Sequence, residues 1–434
     1  MDVMSVGEDA VPAGYKRTEV GVIPENWEVG SVGKFWTVID CKHVTAEFTS
    51  AGFPVASIKE VQSRFVDLTS AKQTNQQFYN LLIEGGRKPQ PGDLILSRNA
   101  TVGEVAQVTE RHPPFAMGQD VCLLRRKVID FSPEFLQAVF QSSIIANQLL
   151  NLMVGSTFKR ANIEQIRSFA VPMPSPPEQR AIAEALSDVD SLLDALDRLI
   201  AKKRDLKQAA MQQLLTGQTR LPGFAGVWEV RTLEQLFDFS GGYSASRNQL
   251  STQGYCYLHY GDIHGASKTY VDTRSDYQDI PKLNISLSQV SPSSLLKDGD
   301  VVFVDASEDD EGTSKHIVIV NKDNLPFISG LHTIVAKRKN NELVNEYLRY
   351  CFQTTAIRQQ FSFYAVGTKV SGISKTNIAK LTLPVPSPPE QTAIAAVLSD
   401  MDAELAALGA RREKTRALKQ AMMQELLTGR TRLV

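Results

Sequence analysis

Apolar residues recur at alternating steps of four and three through two stretches of the chain: Ile182, Leu186, Val189, Leu193, Leu196 and Ile200, and then Ile394, Leu398, Met401, Leu405 and Leu408. This spacing lays one apolar seam along a helix and demands a partner helix. Each stretch opens on Ser-Pro-Pro-Glu, at Ser175 and Ser387. These have the form of a capping box, in which the Ser hydroxyl accepts from the Glu N–H and the carboxylate accepts from the Ser N–H, with proline at the first helical position. Each closes at Thr216-Gly217 or Thr428-Gly429, where glycine suits the left-handed residue that ends a helix. About 38 residues lie between these signals, on the order of 57 Å of helix at 1.5 Å per residue. Packing the two helices antiparallel satisfies both seams within one chain and leaves a globular part at each end. A dimerisation stalk or a core hairpin would satisfy the same periodicity.

The helices are copies. Pro172 to Leu221 recurs without a gap as Pro384 to Leu433, with most positions identical; the two Glu of SPPEQ give the displacement, 390 − 178 = 212. The register holds upstream, pairing Pro114-Phe115 with Pro326-Phe327, Arg125-Arg126-Lys127 with Lys337-Arg338-Lys339, and Glu134-Phe135-Leu136 with Glu346-Tyr347-Leu348. Further back it drifts, to 299 − 92 = 207 at Gly92-Asp93 and 228 − 27 = 201 at Trp27-Glu28-Val29, so the front of each half differs by loop insertions. Short β-type runs (Asp93 to Leu96, Val121 to Leu124, Val301 to Val304, Ile317 to Val320) are punctuated by turn residues. One amphipathic helix is predicted in each half, Pro133 to Leu149 and Val344 to Phe361. The expectation is an α+β protein with a pseudo-two-fold internal repeat. Its parts are a mobile segment 1–20, a globular unit 21–171, a helical spacer 172–221, a second unit 222–383 and a C-terminal spacer 384–434.

Composition adds little to this picture. At 434 residues, 42% hydrophobic and 22% charged, the chain reads as an ordinary folded protein of at least two cores. Its opening residues carry neither a basic segment nor an apolar core, and no apolar run approaches the ~20 residues of a membrane span, so a cytoplasmic protein without membrane contact is expected. Four cysteines without CxxC spacing suggest buried thiols rather than disulfides or zinc. A net charge of −1 argues against an all-over basic nucleic-acid binder but allows positive groups sorted onto one face.

No catalytic constellation is present. Gly33-Lys34 lacks the first glycine of a phosphate-binding loop, with Glu28 in its place. Ser175-Pro-Pro-Glu resembles the tetrapeptide of amino-methyltransferases, but Glu178 stands where an aromatic residue should stack on an extruded base. Asp205-x-Lys207 becomes Ala417-x-Lys419 in the second copy, and His259, Asp262 and His264 match no common metal signature. No catalytic, cofactor-binding or metal-ligating residue is therefore assigned.

The ordered set of motifs resembles the specificity (S) subunit of type I restriction-modification systems. It comprises two units with variable fronts, each followed by a helix opening with P-x-P-S-P-P-E-Q and closing with L-L-T-G-x-T-R-L. Tyr15 to Trp27 is similar to that family's opening, and Gly92 to Arg98 resembles a segment of its target-recognition domains. In the second half acidic residues of Val301 to Gly312 replace the Ser-Arg, so an Arg98-like contact does not carry over. The resemblance implies a non-catalytic reader of double-stranded DNA whose two target-recognition domains each read one part of a split, asymmetric sequence. It also implies two methyltransferase subunits supplying S-adenosylmethionine chemistry, and restriction or translocase subunits using ATP and Mg. A tandem protein-binding adaptor is the competing reading. Candidate DNA contacts are Arg98 and Asn99, as donors for base edges; Lys159, Arg160 and Lys369, beside glycines that let backbone approach phosphate; and Tyr260, His264 and Lys268. The triplets at Arg125 and Lys337 fit either phosphate contact or a solvated strand edge.

Overall fold

The computed structural model describes residues 11–99, 101–153, 160–266, 268–307, 314–367 and 371–434. The chain divides into two compact units: Met1–Asp197 with Ala410–Val434, and Arg198–Gly409.

In the first unit the antiparallel strands Trp36–Asp40, Val121–Arg126, Leu94–Ser97 and Val105–Gln107 form a sheet in that order. Its central strands are buried over Leu94–Ser97 and Val121–Leu124 because both faces are covered. Leu94, Leu96, Cys122 and Leu124 join one core, whereas Ile95, Val121 and Leu123 join the other. This is the signature of a strand buried on both sides. The second face is closed by a small sheet ordered Ala116–Met117, Phe53–Ala56, Gln73–Thr74, Phe48–Thr49. The first face packs on Phe135, Leu136 and Val139 of a short helix and on Ile182, Leu186, Met423, Leu426 and Leu427 of the long helices.

The second unit repeats the plan. Phe237–Gly241, Thr333–Arg338, Val301–Val304 and His316–Val320 form the antiparallel core, to which Tyr270–Asp272 adds a parallel fifth strand. A small sheet of Leu250–Ser251, Lys282–Leu283, Tyr255–Leu258 and Phe327–Ser329 covers one face. On the other, Val301, Phe303, Ile334 and Ala336 meet Tyr347, Leu348 and Phe352, with Ile394, Leu398, Met211, Leu214 and Leu215 from the long helices.

The long helices run Pro176–Leu215 and Pro388–Leu426 and pair antiparallel. Within the first unit Asp190 meets Lys419 at 2.7 Å and Asp197 meets Arg412 at 2.5 Å; within the second, Lys203 meets Glu404 at 2.7 Å and Lys207 meets Asp402 at 2.5 Å. Partner numbers fall on one helix as they rise on the other. Such partly exposed pairs contribute little stability and chiefly fix register. The seam supplies the energy: Ile182, Leu186, Leu196, Ile200, Ile394 and Leu398 are buried, while Val189, Leu193, Met401, Leu405 and Leu408 are half-buried.

Three expectations are corrected. Each head helix is two helices: Pro133–Phe140 breaks before Ser143–Met153, and Asn345–Cys351 before Thr355–Tyr364. Ser142 and Thr354 cause the breaks, since their hydroxyls accept from the N–H groups of Ile144 and Ile357 and start new helices. The segment 1–20 is not wholly mobile, because Tyr15–Thr18 pairs with Gly21–Pro24 as a hairpin; residues 1–10 lie outside the described residues. The Ser-Pro-Pro-Glu carboxylates also do not cap their helices.

Candidate nucleic-acid interface

The carboxylate of Glu178 is buried. It accepts from the indole N–H of Trp27 at 3.1 Å and from Arg432 Nε and Nη2, and the Arg432 guanidinium also lies 5.6 Å from the Trp27 ring. The second unit builds the same triad. Glu390 accepts from Trp228 Nε1 at 3.0 Å and from Arg220 Nε and Nη2 at 2.5 and 2.7 Å. Gln179 and Gln391 complete SPPEQ, their side-chain oxygens accepting from Ser132 N–H and Val344 N–H at the start of each head helix. Gly217 and Gly429 take φ of +72° and +67°, as expected. A Cβ on Gly429 would sit 2.5 Å from Pro24. Thus the repeated motifs are ligands of one another, and they frame each unit around a buried carboxylate.

The first cation of each basic triplet is turned inward as well. Arg125 donates to both carboxylate oxygens of Asp93, at 3.0 and 2.6 Å, and Lys337 donates to Asp300 at 3.2 Å. Burial pushes both Asp93 and Asp300 above the usual carboxylate range, so these pairs occupy a desolvated setting rather than a phosphate-binding edge.

The structure turns Arg98 inward. Its side chain is 3% exposed and paired with Asp40 at 3.0 Å, and among the described residues its Nε and Nη2 have no hydrogen-bond partner. The backbone around it is tied to one turn: the Arg98 N–H donates to Asp120 C=O at 2.9 Å, Asn99 Nδ2 donates to the Asp120 carboxylate at 2.9 Å, and Asn99 pairs in a β-bridge with exposed Arg160. Arg98, Asn99 and Arg160 therefore converge on one turn at Asp120. Beside that turn lies a cavity of about 420 Å³ lined by Phe48, Lys59, Lys72, Gly118, Gln119 and Asp120, with Lys72 held 4.9 Å over the Phe48 ring. Lys159 and Lys369 lie outside the described residues.

In the second unit Tyr260 and His264 do come together, edge to face at 6.2 Å, and His259 and His332 join them at 4.6 and 5.5 Å from Tyr260. Arg247, 60% exposed, donates to Asp262 at 2.7 Å alongside. Lys268 lines the cavity that Arg247 and Asp262 also line, and meets Asp276 at 3.4 Å. His332 and Gln119 were not among the expected contacts. The available signal was their position, just before the second strand of a register-matched pair.

Among the described residues the one group of potential metal ligands is Asp40, Cys41 and His43, within 4.8 Å of one another. Arg98 already neutralises Asp40, and burial, with the adjacent Asp40 charge, pushes the Cys41 thiol up, which disfavours the thiolate a metal requires.

Two α+β units on one plan, closed by matching triads and carrying unlike polar surfaces, define an internally duplicated protein. The chain belongs to the family of the type I restriction modification DNA specificity domain, whose model matches residues 24–203 and again 226–415. It is 24% identical over 446 residues to the putative type I restriction enzyme MjaX specificity subunit of Methanocaldococcus jannaschii, covering 96% of this chain and 97% of that one. The MjaVIII specificity subunit of the same organism is 22% identical over 430 residues, covering 95% and 94%. The fold matches that of a chain solved in a study of assembly and conformational transition of the type I system, with TM-score 0.60, 18% identity, and 94% and 99% of the two chains covered. The S subunit from M. genitalium gives TM-score 0.52 at 15% identity, covering 92% and 96%. Among the described residues no helix is long and apolar enough to cross a membrane.

Proposed function

We propose that this chain is the non-catalytic DNA-reading subunit of a type I restriction-modification complex and that each unit reads one part of a split, asymmetric site. The two helices hold the units at a set separation. Methyltransferase subunits supply S-adenosylmethionine and adenine methylation, and restriction subunits supply ATP- and Mg-dependent translocation and cleavage. The observation that carries this reading is duplication with divergence: Trp-Glu-Arg frames and core sheets agree between units, whereas the exposed residues around Asp120 and His332 do not.

The test is binding of the chain, assembled with its methyltransferase, to random duplex DNA across a salt series. The logarithm of affinity should fall linearly with the logarithm of salt, by about 0.9 per phosphate contacted. A flat response would favour the protein-binding adaptor.

Docking has a candidate surface on each unit. Leu192 and Leu418 in the first unit are 40% and 55% exposed, and Leu199 and Leu206 in the second are 39% and 47% exposed. Leu192, Leu199 and Leu206 repeat at seven-residue steps on one helix, outside the buried seam. Exposed leucines of this kind fit a partner's apolar face. The Leu199→Gln/Leu206→Gln double variant should copurify with one methyltransferase instead of two, with a melting temperature close to the parent's, because neither side chain supports the core. Light scattering of the complex gives the stoichiometry.

A further inference from the structure

We infer that the four-residue turns Met117–Asp120 and Ser329–His332 are the specificity-determining elements of the two units, with Gln119 and Asp120 reading bases in one and Leu331 and His332 in the other. The inference rests on the DNA-reading function proposed above.

The turns occupy one position of the repeat, since 120 + 212 = 332. Their frames match bond for bond. Gly118 N–H donates to Ala56 C=O at 2.7 Å, and Gly330 N–H to Leu258 C=O at 2.9 Å. The last residue of each turn is left-handed, Asp120 at φ +69° and His332 at φ +58°. Its carbonyl accepts from the N–H of a residue at the end of the neighbouring strand, Arg98 in one case and Asp305 in the other, at 2.9 and 3.2 Å. Arg98 and Asp305 are themselves counterparts, as 98 + 207 = 305. The closing bond is also repeated: Ala161 N–H donates to Arg98 C=O and Ile373 N–H to Asp305 C=O, at 3.0 and 2.8 Å, with 161 + 212 = 373.

On this constant frame the side chains change together. In the first unit an anion, Asp120, accepts from Asn99 Nδ2, while Arg98 is drawn back onto Asp40. In the second the anion has moved to Asp305, whose Oδ1 lies 3.3 Å from Nδ1 of His332. The turn residue and its side-chain partner both differ between the units while the backbone bonds persist. A purely structural turn has no need of this, and left-handed backbone is costly for ordinary side chains, tolerated best by Asn, Asp and His. The tips are also available to a ligand. Gln119 is exposed and Leu331 is 39% exposed, and cations and rings flank them: Lys59, Lys72 and Phe48 in one unit, Tyr260 and Arg247 in the other. The chemistry differs accordingly. Gln119 offers the donor-acceptor pair that fits an adenine edge, Asp120 accepts from cytosine or adenine amino groups, and Leu331 fits a thymine methyl.

The experiment is methylation mapping by single-molecule sequencing of a host expressing the chain with its methyltransferase, using Gln119→Ala, Asp120→Asn, Leu331→Ala and His332→Asn. Asparagine keeps the left-handed backbone, and melting curves check folding. The two first-unit variants should relax or change bases in one half of the site only, and the two second-unit variants in the other half only. Discrimination at the affected position should fall on the order of ten- to a hundredfold. Four folded variants that keep the parental sequence and its discrimination overturn the inference. Loss confined to the amount of methylation, with the sequence unchanged, also overturns it. If the parental complex methylates no fixed sequence, the underlying function fails instead.

Discussion

Exchanging residues 32–168 for the matching segment of a relative with another specificity will rewrite one half of the methylated site and leave the other half as it was. The boundaries follow from the fold. Glu28–Ser31 and Ala170–Met173 pair with each other antiparallel, so cutting inside this ribbon keeps both strands in the recipient. Trp27, Glu178 and Arg432 also stay, and the graft enters an intact frame. The core contacts that cross the junction are Ile182, Leu186, Met423, Leu426 and Leu427 against Phe135, Leu136 and Val139 of the graft. These are apolar packing positions, where volume matters more than identity. The effect should be close to all-or-none, because specific sites commonly exceed non-specific DNA by 10³-fold or more. Methylation mapping reads the outcome. Changes in both halves, or in neither, would show that the units do not read independently.

The parts of this fold that depend on local pattern were legible in the sequence. The 4-3 seam, the closing glycines and the 212-residue displacement specify two helices and their pairing, and the double-sided apolar strands specify the sheets. What the sequence hid depends on partners far away along the chain. Arg98 reads as a loop donor until Asp40, 98 − 40 = 58 residues earlier, is seen to hold it. Arg125 and Lys337 read as a phosphate contact or a solvated edge because Asp93 and Asp300 face them only after the strands pair. Glu178 satisfies every local requirement of a capping box and still turns away, since an indole N–H and a bidentate guanidinium are stronger partners than one backbone N–H. A better clue lay in co-occurrence: Trp-Glu-Val, SPPEQ and Thr-Arg-Leu each appear twice, in the same order, as the three ligand sources of one triad. The exposed turns carried only the signal of their position, because their residues differ between the copies.

Removing Arg432 will destabilise the first unit by about 3–5 kcal/mol, the range for stranding a buried charge. Arg432→Ala leaves the Glu178 carboxylate, 1% exposed, with only the Trp27 N–H, and also removes the cation from the Trp27 ring. The reverse deletion should cost less. In Glu178→Gln the amide oxygen still accepts from Trp27, and Arg432, whose side chain is 35% exposed, reaches water, so about 1–3 kcal/mol is expected. Arg220→Ala does to the second unit what Arg432→Ala does to the first, because Arg220 is the partner of Glu390. Each arginine comes from the end of one repeated helix and closes the unit that begins the other. The two variants should therefore act crosswise to sequence order, Arg220 on the unit of Trp228 and Arg432 on that of Trp27. Hydrogen exchange separates them. Arg432→Ala should raise exchange in the Tyr15–Pro24 hairpin and leave strand Glu229–Thr232 protected, and Arg220→Ala should give the mirror image. Equal loosening of both units by either variant, or a change below about 1 kcal/mol, would mean that the triads merely decorate the cores they touch.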